Sequence, residues 1–520
     1  ANFEFKFQPV THSDIKKAIN SLKPKTSSGI DEISAKLTKI CKEEITIPLT
    51  DITNKSLQQG IFPDLLKTAK VYPKYKNGEN TSTGSYRPIS LISTFSKIIE
   101  KVVLEKLLLH LQQNNLLTSQ QHGFLKGRST ATALIQFTEH IIDELEEGNK
   151  VTSLFLDFSK AFDCLNHNRL LSKLRALGVT GTTEKWFHSY LHDRRQLVEI
   201  QYTNNNIKQK MKSELISLHR GVPQGSVLGP ILYLLLTNDL PSWLQDSCHT
   251  VMYADDTAIT LAHRSLETLT RNTNTALNIT KQYCTTNELV LNEKKTVQLT
   301  FTTRNKNNTN ITLPDIESKN STKYLGITID SSLSWTAHID GLCKKLSSCT
   351  YVIRRLKQIS GLEAAKTAYF ALFESHMRYG IATWGGTSNT NLERILVQQK
   401  RAIRCLANIA PRESCRDAFK ELKILTVVSL HIQEVILHAV NTAQLRHRDM
   451  HQHNTRHAAD FTLPTHHLSL FGRKPSYKGA AYFNRLPDHL KQEPVKTLKR
   501  KLNLWLQDNP YYTEKEFCDN

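Results

Sequence analysis

The stretch Leu156-Asp157-Phe158-Ser159-Lys160-Ala161-Phe162-Asp163 closes a short apolar run that begins at Val151. A nearly continuous apolar run of this length predicts a buried β-strand, and here an acid stands at its end. A second acidic stretch, Tyr253-Ala254-Asp255-Asp256, lies well downstream. Because apolar residues flank it over 251–259, it predicts two short strands joined by a tight turn. Both stretches therefore place carboxylates at the ends of strands.

Crowded carboxylates of this kind are tolerated chiefly when a cation neutralises them, because like charges repel and burial disfavours the ionised form. Oxygen ligands favour hard ions such as Mg²⁺, and phosphoryl transfer commonly uses two of them about 3.5–4 Å apart. An Asp-Asp pair does not establish such a site by itself, since most pairs of this kind are solvated turn residues. The neighbouring motifs carry the further information.

Four further motifs accompany these acids in a fixed order. They are Tyr86-Arg87-Pro88-Ile89-Ser90-Leu91, Gln121-His122-Gly123-Phe124, Gly221-Val222-Pro223-Gln224-Gly225-Ser226 and Tyr324-Leu325-Gly326-Ile327. Together with the acidic stretches, they resemble the reverse transcriptases of non-LTR (LINE-type) retrotransposons, and within them the jockey-like group. The resemblance is specific between Lys25 and Asp330 and looser from there to the C-terminus.

This resemblance implies a right-hand polymerase, with α/β fingers and palm, an all-α thumb and a basic, mostly helical C-terminal domain. We expect an N-terminal extension in 1–65, fingers and palm in 66–315, the primer grip and helical thumb in 316–410, and an RNA-binding type of domain in 411–520. Helical periodicity agrees with this order. It predicts helices at 97–111, 130–147, 337–356, 362–379, 391–408, 427–445 and 498–506, with a break at Pro411.

Carried onto this sequence, the resemblance makes Asp157, Asp255 and Asp256 the catalytic metal ligands, with the carbonyl of Phe158 completing one metal site. It implies two Mg²⁺ ions as cofactor, with Mn²⁺ as a substitute. In such a site one ion activates the primer 3′-hydroxyl, and both stabilise the charge that develops on the α-phosphate.

The resemblance also assigns residues to the incoming nucleotide. Phe162 matches the aromatic steric gate that excludes a ribose 2′-hydroxyl, although the same ring suits a hydrophobic core. Gln224 and Gly225 match the segment that lies against the nucleotide and the template, where glycine permits close backbone approach. Lys74 and Arg87 match the finger residues that bind the triphosphate, for which an ammonium and a guanidinium are suitable donors.

Two further roles come from the resemblance. Lys295 matches the lysine that protonates the pyrophosphate leaving group. For the basic positions, Lys294 and Lys76 remain alternatives, because surface lysines are common. The hairpin Tyr324-Leu325-Gly326 matches the primer grip, which holds the primer terminus, and the helices after it would form the thumb.

The charge of the chain points to a polyanionic partner. Its 68 Lys and Arg residues against 48 Asp and Glu residues give a formal net charge of +20. Nucleic acid is the expected partner, and the alternative is a basic globule whose charge only keeps it soluble. Nine scattered cysteines argue against a disulfide scaffold. The apolar stretches are too short to span a bilayer and no leader opens the chain, so we expect neither membrane association nor secretion.

The C-terminal segment mixes cations with aromatic rings. The cations are Arg446, Arg448, Arg456, Arg473, Lys474, Lys478 and Arg485, and the rings are Phe471, Tyr477, Tyr482 and Phe483. Cations suit phosphate contacts and rings suit base stacking, so we expect this segment to bind RNA, with a solvated basic face as the alternative. Its histidines, including His451, His453 and His457, have no paired cysteines nearby, so zinc is not expected.

The resemblance implies the element's RNA as template, nicked target DNA as primer and deoxynucleoside triphosphates as substrates. Target-primed synthesis would take place in the nucleus, after assembly of RNA and protein in the cytoplasm. The first methionine is Met211. We therefore expect that an endonuclease domain, which such elements carry upstream of the polymerase, is missing from this chain.

Three alternatives remain. A group II intron-type maturase has close palm motifs, but the jockey-like helical region and the lack of a cysteine-bearing nuclease module disfavour it. A viral-type RNA-dependent RNA polymerase would normally carry Gly before its Asp pair and no aromatic gate. A domesticated, non-catalytic RNA-binding scaffold would be expected to have lost one acid, and all three acids are present.

Overall fold

The order of the elements follows the prediction of alternating helices and strands and then a helical remainder. The computed structural model describes residues 4–159, 162–244, 248–302, 311, 313, 315–442, 444–450 and 458–519. The strands are β1 (Thr68–Tyr75), β2 (Tyr86–Leu91), β3 (Lys150–Asp157), β4 (Arg194–Asn204), β5 (Ile207–Lys212), β6 (Ile216–Leu218), β7 (His249–Tyr253), β8 (Asp256–His263), β9 (Val297–Phe301), β10 (Glu317–Ser318), β11 (Ser321–Tyr324) and β12 (Ile327–Asp330). The helices up to β9 are α1 (His12–Asn20), α2 (Ala35–Ile40), α3 (Lys42–Gln59), α4 (Thr94–Gln113), α5 (Thr130–Glu146), α6 (His167–Ala176), α7 (Gly181–Leu191), α8 (Gly229–Thr237), α9 (Leu240–Leu244) and α10 (Leu266–Asn287). The later helices are α11 (Thr336–Ala368), α12 (Ser375–Arg378), α13 (Ile381–Trp384), α14 (Asn389–Ala407), α15 (Arg416–Leu422), α16 (Val427–Asn441), α17 (His447–Met450), α18 (Pro475–Phe483), α19 (Asp488–Lys491), α20 (Val495–Asp508) and α21 (Glu514–Cys518).

The central sheet has the strand order β10-β9-β3-β8-β7, and β3 runs antiparallel to both β8 and β9. Both faces of β3 are covered, which explains its continuous apolar sequence. Leu154 and Leu156 belong to a buried cluster with residues of α4, α8 and α10. Val151 and Phe155 belong to a second cluster with residues of α5 and the C-terminal helices. The two clusters hold the sheet between them.

A second sheet lies in the segment predicted to form the fingers, so we call it the fingers sheet; it has the order β2-β1-β4-β5, with β6 also paired to β4. β1 runs antiparallel to β2 and parallel to β4. Beyond β1, strands β4 and β5 continue together as a two-stranded ribbon. Asn205 and Asn206, with φ of 47° and 62°, form the turn of this ribbon. Two positive φ values in a two-residue loop are typical of the type I′ hairpin, in which Asn is favoured.

The C-terminal helices form one body around a shared core. Ile339, Ile395, Ile432, Phe483 and Leu502 all lie in one buried cluster, so residues on both sides of position 410 pack together. The helix predicted at 427–445 is shorter than expected, because Thr442 takes an extended conformation (ψ 137°) and ends α16 at Asn441. Within α11, Gly361 has φ of 80° and ψ of −172° and breaks the helix.

The C-terminal segment is docked on α5 through a row of acids, Glu139, Asp143 and Glu146. The backbone N–H of Ser476 donates to Glu139 Oε1 (2.6 Å) at the start of α18, where a helix N-terminus favours an anion. Lys474 pairs with Asp143, and the N–H groups of His467 and Leu468 donate to Glu146. This acid row attaches the segment to the central sheet.

The expectation that the rings of this segment stack on bases is wrong for two of them. Tyr482 and Phe483 are 2% and 1% exposed and belong to the core. Arg446 lies over the rings of Phe461 and Phe483, and Lys478 pairs with Glu514. The apolar faces of α16 and α18 need these rings for packing, and the cations beside them serve the fold. The side chain of Arg448, and Arg456, His451, His453 and His457 altogether, lie outside the described residues.

Two further sequence expectations concern thiols and membranes. The nine cysteines are free thiols in the structure. Among the described residues, no single helix combines the length and apolar character that a bilayer span requires; only α15 and α16 taken together pass that test, and they are bent by 56°.

Candidate active site

The strand register brings the three predicted acids together. Asp157, the last residue of β3, lies directly opposite Asp256, the first residue of β8. β7 and β8 form a hairpin in which Tyr253 pairs with Asp256, so Ala254 and Asp255 form its turn. The three carboxylates therefore lie at one end of the central sheet, on neighbouring strands. The predicted strand and hairpin are confirmed, and the catalytic role of the acids stays a prediction.

The turn that carries Asp255 is held in an unfavourable backbone conformation. Ala254 has φ of 56°, which a residue with a Cβ seldom adopts. The side-chain oxygen Oε1 of Gln121 accepts hydrogen bonds from the N–H groups of Ala254 (3.1 Å) and Gly123 (2.8 Å). A Cβ on Gly123 would lie 2.7 Å from the nitrogen of Ala254, so only glycine fits beside the turn. Gln121 itself is 2% exposed and bridges to Met252 of β7.

The carboxylates are electrostatically strained in the absence of a cation. They reach solvent on one side, but protein atoms crowd them on the others. Burial, followed by the charges of Asp255 and Asp157, raises the pKa of Asp256 to about 6. Burial also raises the pKa of Asp255, with a further contribution from Asp157, while a hydrogen bond from its own backbone N–H and the charges of Arg87 and Lys76 act in the opposite direction. Cations would relieve this repulsion.

The donor set fits Mg²⁺, because every candidate ligand is an oxygen. Asp157, Asp255 and Asp256 supply carboxylates, and Phe158, which follows β3 and bridges to Leu291, supplies a backbone carbonyl. Within the described residues, no group of three His, Cys, Asp or Glu side chains, these acids included, is close enough to hold a metal ion without oxygens from elsewhere. An open set of this kind suits ions that also take oxygens from a triphosphate.

The loop that contains Lys295 is tied to the end of β3. The N–H of Asn292 donates to the carbonyl of Asp157 (2.8 Å), and the N–H of Ser159 donates to the carbonyl of Val290 (2.8 Å). The ammonium of Lys295 lies 4.0 Å from Asp157 Oδ2 and is largely exposed. Lys295 is therefore next to the acids, as its predicted role requires, whereas the neighbouring Lys294 forms no ion pair with them in the described part of the chain.

Phe162 and Gln224 lie on two loops that pack closely together. The ring of Phe162 is half-buried, with its centroid 5.1 Å from that of Tyr233 in α8. Its carbonyl accepts a hydrogen bond from Val222 (2.9 Å). Gln224 donates from Nε2 to both carboxylate oxygens of Asp163 (3.0 Å each). These contacts suit a core aromatic, and the role of Phe162 as a steric gate stays a prediction.

Gly225 brings this loop against the fingers sheet. With φ of 132°, its Cβ would lie 2.6 Å from the carbonyl oxygen of Ser90 in β2. The N–H of Ser90 donates to the carbonyl of Gln224 (2.8 Å). Lys74 and Arg87 lie directly opposite each other in the β1–β2 ladder, and both are exposed. Among the basic residues, Arg87 and Lys76 lie close enough for their charges to act on Asp255, and both lower its pKa.

The predicted primer grip is a hairpin whose side chains point inward. Leu325 and Gly326, with φ of 46° and 80°, form the turn between β11 and β12. Tyr324 and Leu325 are 4% and 8% exposed, so the backbone of the turn is the part that can contact a primer. The hydroxyl of Tyr379 donates to the carbonyl of Leu325 (2.7 Å) and its ring lies against Gly326.

Sequence reasoning missed three residues that support the site. Gln121 was noted only as part of a motif, and its contact with the Asp255 turn joins positions far apart in sequence. Tyr379 holds the primer-grip turn. Glu100 of α4 is fully buried and accepts hydrogen bonds from Val227 (2.7 Å) and Leu228 (3.0 Å) at the start of α8. The only signal for Glu100 is a charged residue on the apolar face of a predicted helix.

Known proteins are similar to this chain in sequence. Residues 73–329 match the family described as reverse transcriptase (RNA-dependent DNA polymerase). The chain is 30% identical over 417 residues to the probable RNA-directed DNA polymerase from transposon BS of Drosophila melanogaster, an alignment that covers 77% of this chain and 45% of that protein. It is 26% identical over 428 residues to the RNA-directed DNA polymerase from mobile element jockey of the same fly, with 80% and 46% covered.

The chain thus spans less than half the length of the curated relatives it matches. One solved structure with similarity is an apo telomerase from Candida tropicalis truncated from its C-terminal domain, at 15% identity and a TM-score of 0.33, covering 52% of this chain and 55% of that one. The motifs, the matched segment 73–329 and the transposon relatives agree with one another. The chain belongs to the reverse transcriptase family, among the jockey-like non-LTR retrotransposon enzymes.

Proposed function

We propose that this chain is an RNA-directed DNA polymerase that adds deoxynucleotides to a 3′-hydroxyl by two-metal catalysis, and that its primer is nicked target DNA. The observation that carries the proposal is the register that sets Asp157 opposite Asp256 with Asp255 in the adjoining turn. Burial, followed by the negative charges of Asp255 and Asp157, raises the pKa of Asp256 to about 6, and bound cations would offset both effects.

Each residue then has a defined task. Asp157, Asp255 and Asp256 would hold two Mg²⁺ ions, which when bound supply activation of the 3′-hydroxyl and charge stabilisation at the α-phosphate. Lys74 and Arg87, exposed on neighbouring strands, bind the triphosphate, and Lys76 is the alternative to Lys74. The remaining tasks fall to the residues around the acids: Phe162 excludes a 2′-hydroxyl, Gln224 and Gly225 line the nucleotide, Lys295 delivers a proton to the pyrophosphate, and the Leu325-Gly326 turn holds the primer end.

The proposal also covers the nucleic-acid partners of the polymerase and its location in the cell. The template is the element's own RNA, the nick in the target is made by a separate nuclease active site, and synthesis takes place in the nucleus after assembly of RNA and protein in the cytoplasm. The net charge of +20 supports contact with nucleic acid.

A primer-extension assay tests the proposal. Purified protein is incubated with Mg²⁺ and a primed RNA template, with deoxynucleotides or ribonucleotides supplied separately, and Asp255→Asn serves as the control. We expect incorporation of deoxynucleotides by the unchanged protein alone. Preferential incorporation of ribonucleotides would favour the RNA polymerase alternative, and binding of RNA without any extension would favour the scaffold. A nicked and an intact duplex, each with RNA template, then test the use of a nick as primer.

A further inference from the structure

The loop that follows β3 and the loop that precedes α8 are fixed to each other by backbone contacts. The N–H of Val222 donates to the carbonyl of Phe162 (2.9 Å), and the N–H of Gly221 donates to the carbonyl of Leu165 (2.8 Å). A Cβ on Gly221 would lie 2.7 Å from the carbonyl oxygen of Asp163, so the two backbones are in direct contact. The two loops are therefore held together without the help of their side chains.

The backbone of Gln224 is fixed on its other side by the fingers sheet. Its carbonyl accepts the hydrogen bond from Ser90, and the adjoining Gly225 lies against the carbonyl oxygen of Ser90. What these contacts leave open is whether the amide nitrogen or the amide oxygen of Gln224 faces Asp163. Because the two ends of an amide have nearly the same shape, packing alone does not choose between the two orientations.

The carboxylate of Asp163 determines this orientation. An ionised carboxylate only accepts hydrogen bonds, so the amide must turn its nitrogen toward Asp163. Nε2 of Gln224 accordingly donates to both carboxylate oxygens, at 3.0 Å each. The opposite orientation would set the amide oxygen against two other acceptors, with no proton to share between them. The pair therefore has one stable arrangement.

This arrangement leaves the amide oxygen of Gln224 available to a ligand. Among the described residues, no group donates a hydrogen bond to this Oε1 atom, and the atom is not buried. An acceptor that is already held in one orientation can bind a donor without a further cost of ordering. Gln224 thus carries an oriented acceptor that the fold itself does not use.

We propose that Asp163 is a positioning residue, which fixes the amide of Gln224 so that its oxygen accepts a hydrogen bond from the incoming nucleotide. This rests on the proposed function, in which Gln224 lines the nucleotide. Asp163 does not touch the substrate in this role. It selects which end of the amide does.

The test measures the dissociation constant, Kd, of the next correct deoxynucleoside triphosphate. The protein is bound to an RNA template whose primer ends in a 2′,3′-dideoxynucleotide, so the measurement does not require extension. Asp163→Asn still bonds to Gln224 but accepts either orientation of its amide. Kd should rise about 2-fold, because about half of the molecules then present the oxygen.

A second substitution reverses the sign of this effect. Gln224→Glu sets two carboxylates against each other and should raise Kd by about 10-fold, near the upper value for one hydrogen bond. The double variant Asp163→Asn/Gln224→Glu keeps the total charge of the native pair, and its new amide can donate to its new carboxylate. An acceptor oxygen again remains for the nucleotide, so Kd should return to within about 2-fold of the unchanged protein. Asp163→Asn should therefore weaken binding in one background and restore it in the other.

The matched control is Glu288→Gln, which removes a nearby carboxylate that pairs with Arg220 (2.6 Å). Combined with Gln224→Glu, it should not restore Kd. Melting temperatures should stay unchanged in the Asp163 variants, because the Asp163 side chain is exposed and the loops are joined through their backbones.

Three results would overturn the inference. An unchanged Kd in Asp163→Asn would mean that the pair only holds the loops together. Failure of the double variant to recover Kd would separate the two residues, and equal recovery by the Glu288→Gln control would leave only the effect of net charge. Failure of the proposed function is distinguishable, because primer extension is assayed separately. A protein that extends no primer but shows the reversal in Kd would refute the polymerase and keep the positioning role, whereas extension without the reversal would do the opposite; absence of any triphosphate binding would overturn both.

Discussion

Replacing Gln121 with Met should displace the turn that carries Asp255 without removing any of the proposed catalytic groups. Gln121 Oε1 is the acceptor for the N–H groups of Ala254 and Gly123, at 3.1 and 2.8 Å. Methionine keeps the length of the side chain and offers no comparable acceptor. A buried N–H left without a partner costs about 1–3 kcal/mol, so the two unpaired N–H groups would destabilise the native turn by about 2–6 kcal/mol. This turn already has an unfavourable positive φ at Ala254.

The turn can avoid that cost only by moving, and Asp255 moves with it. A displacement of about 1 Å in a catalytic constellation costs on the order of 100-fold in rate. We therefore expect Gln121→Met to lower kcat for single-nucleotide extension by about that factor. KM for the primed template should stay within a few fold, because affinity resides in basic residues elsewhere.

Two variants separate positioning from general destabilisation. Gln121→Glu retains an acceptor oxygen and should recover part of the rate, limited by the negative charge that it adds beside the acids. Gln298→Met makes the same change at a fully buried glutamine of β9, whose Nε2 donates to Thr152, in the same sheet but away from the turn. Melting temperature, kcat and KM are measured for each. The reasoning is refuted if Gln121→Met keeps wild-type kcat, or if Gln298→Met loses as much kcat at an equal fall in Tm.

Three other outcomes are expected. Asp255→Asn should abolish extension and leave RNA affinity, measured by fluorescence anisotropy, within a few fold; residual synthesis would remove Asp255 from the site. Phe162→Val should raise ribonucleotide relative to deoxyribonucleotide incorporation, and an unchanged ratio in an active variant would make Phe162 a core aromatic only. The pKa of Asp256 is raised from its ordinary value of 3.8 to about 6, so ionisation of this group destabilises the metal-free fold increasingly between these two pH values and fully above about 6. Asp256→Asn should thus raise the metal-free Tm at pH above 7, and the gain should shrink toward pH 5; a gain independent of pH would contradict this cause.

The strands that carry the acids could be predicted from sequence because their signals are local. A buried strand ending in Asp157 and a hairpin around Asp255-Asp256 follow from apolar runs and turn residues. The β4–β5 ribbon also has a local signal in the sequence: Ile200 and Tyr202, and then Ile207 and Met211, alternate with polar residues on either side of an Asn-Asn turn.

Contacts between distant segments could not be predicted in this way. The bond from Ala254 to Gln121 depends on how two loops meet, which no periodicity encodes. Tyr482 and Phe483 illustrate the same limit. Aromatic residues beside Lys and Arg give the same sequence pattern in two cases: when the rings stack on bases, and when the rings fill a core while the cations form ion pairs. Whether a ring is buried depends on how the helices assemble, so it cannot be predicted from a sequence window of a few residues.

The shared core of the C-terminal helices has a consequence for how the coding sequence tolerates stop codons. The ring of Phe517 packs against Tyr482 (5.3 Å) and Tyr511 (5.4 Å), and Glu516 pairs with Arg416 of α15. Loss of α21 would therefore remove part of the core of the helical body. A stop codon just before α21 should thus impair the fold abruptly, so a copy truncated there would be as inert as one with a damaged palm.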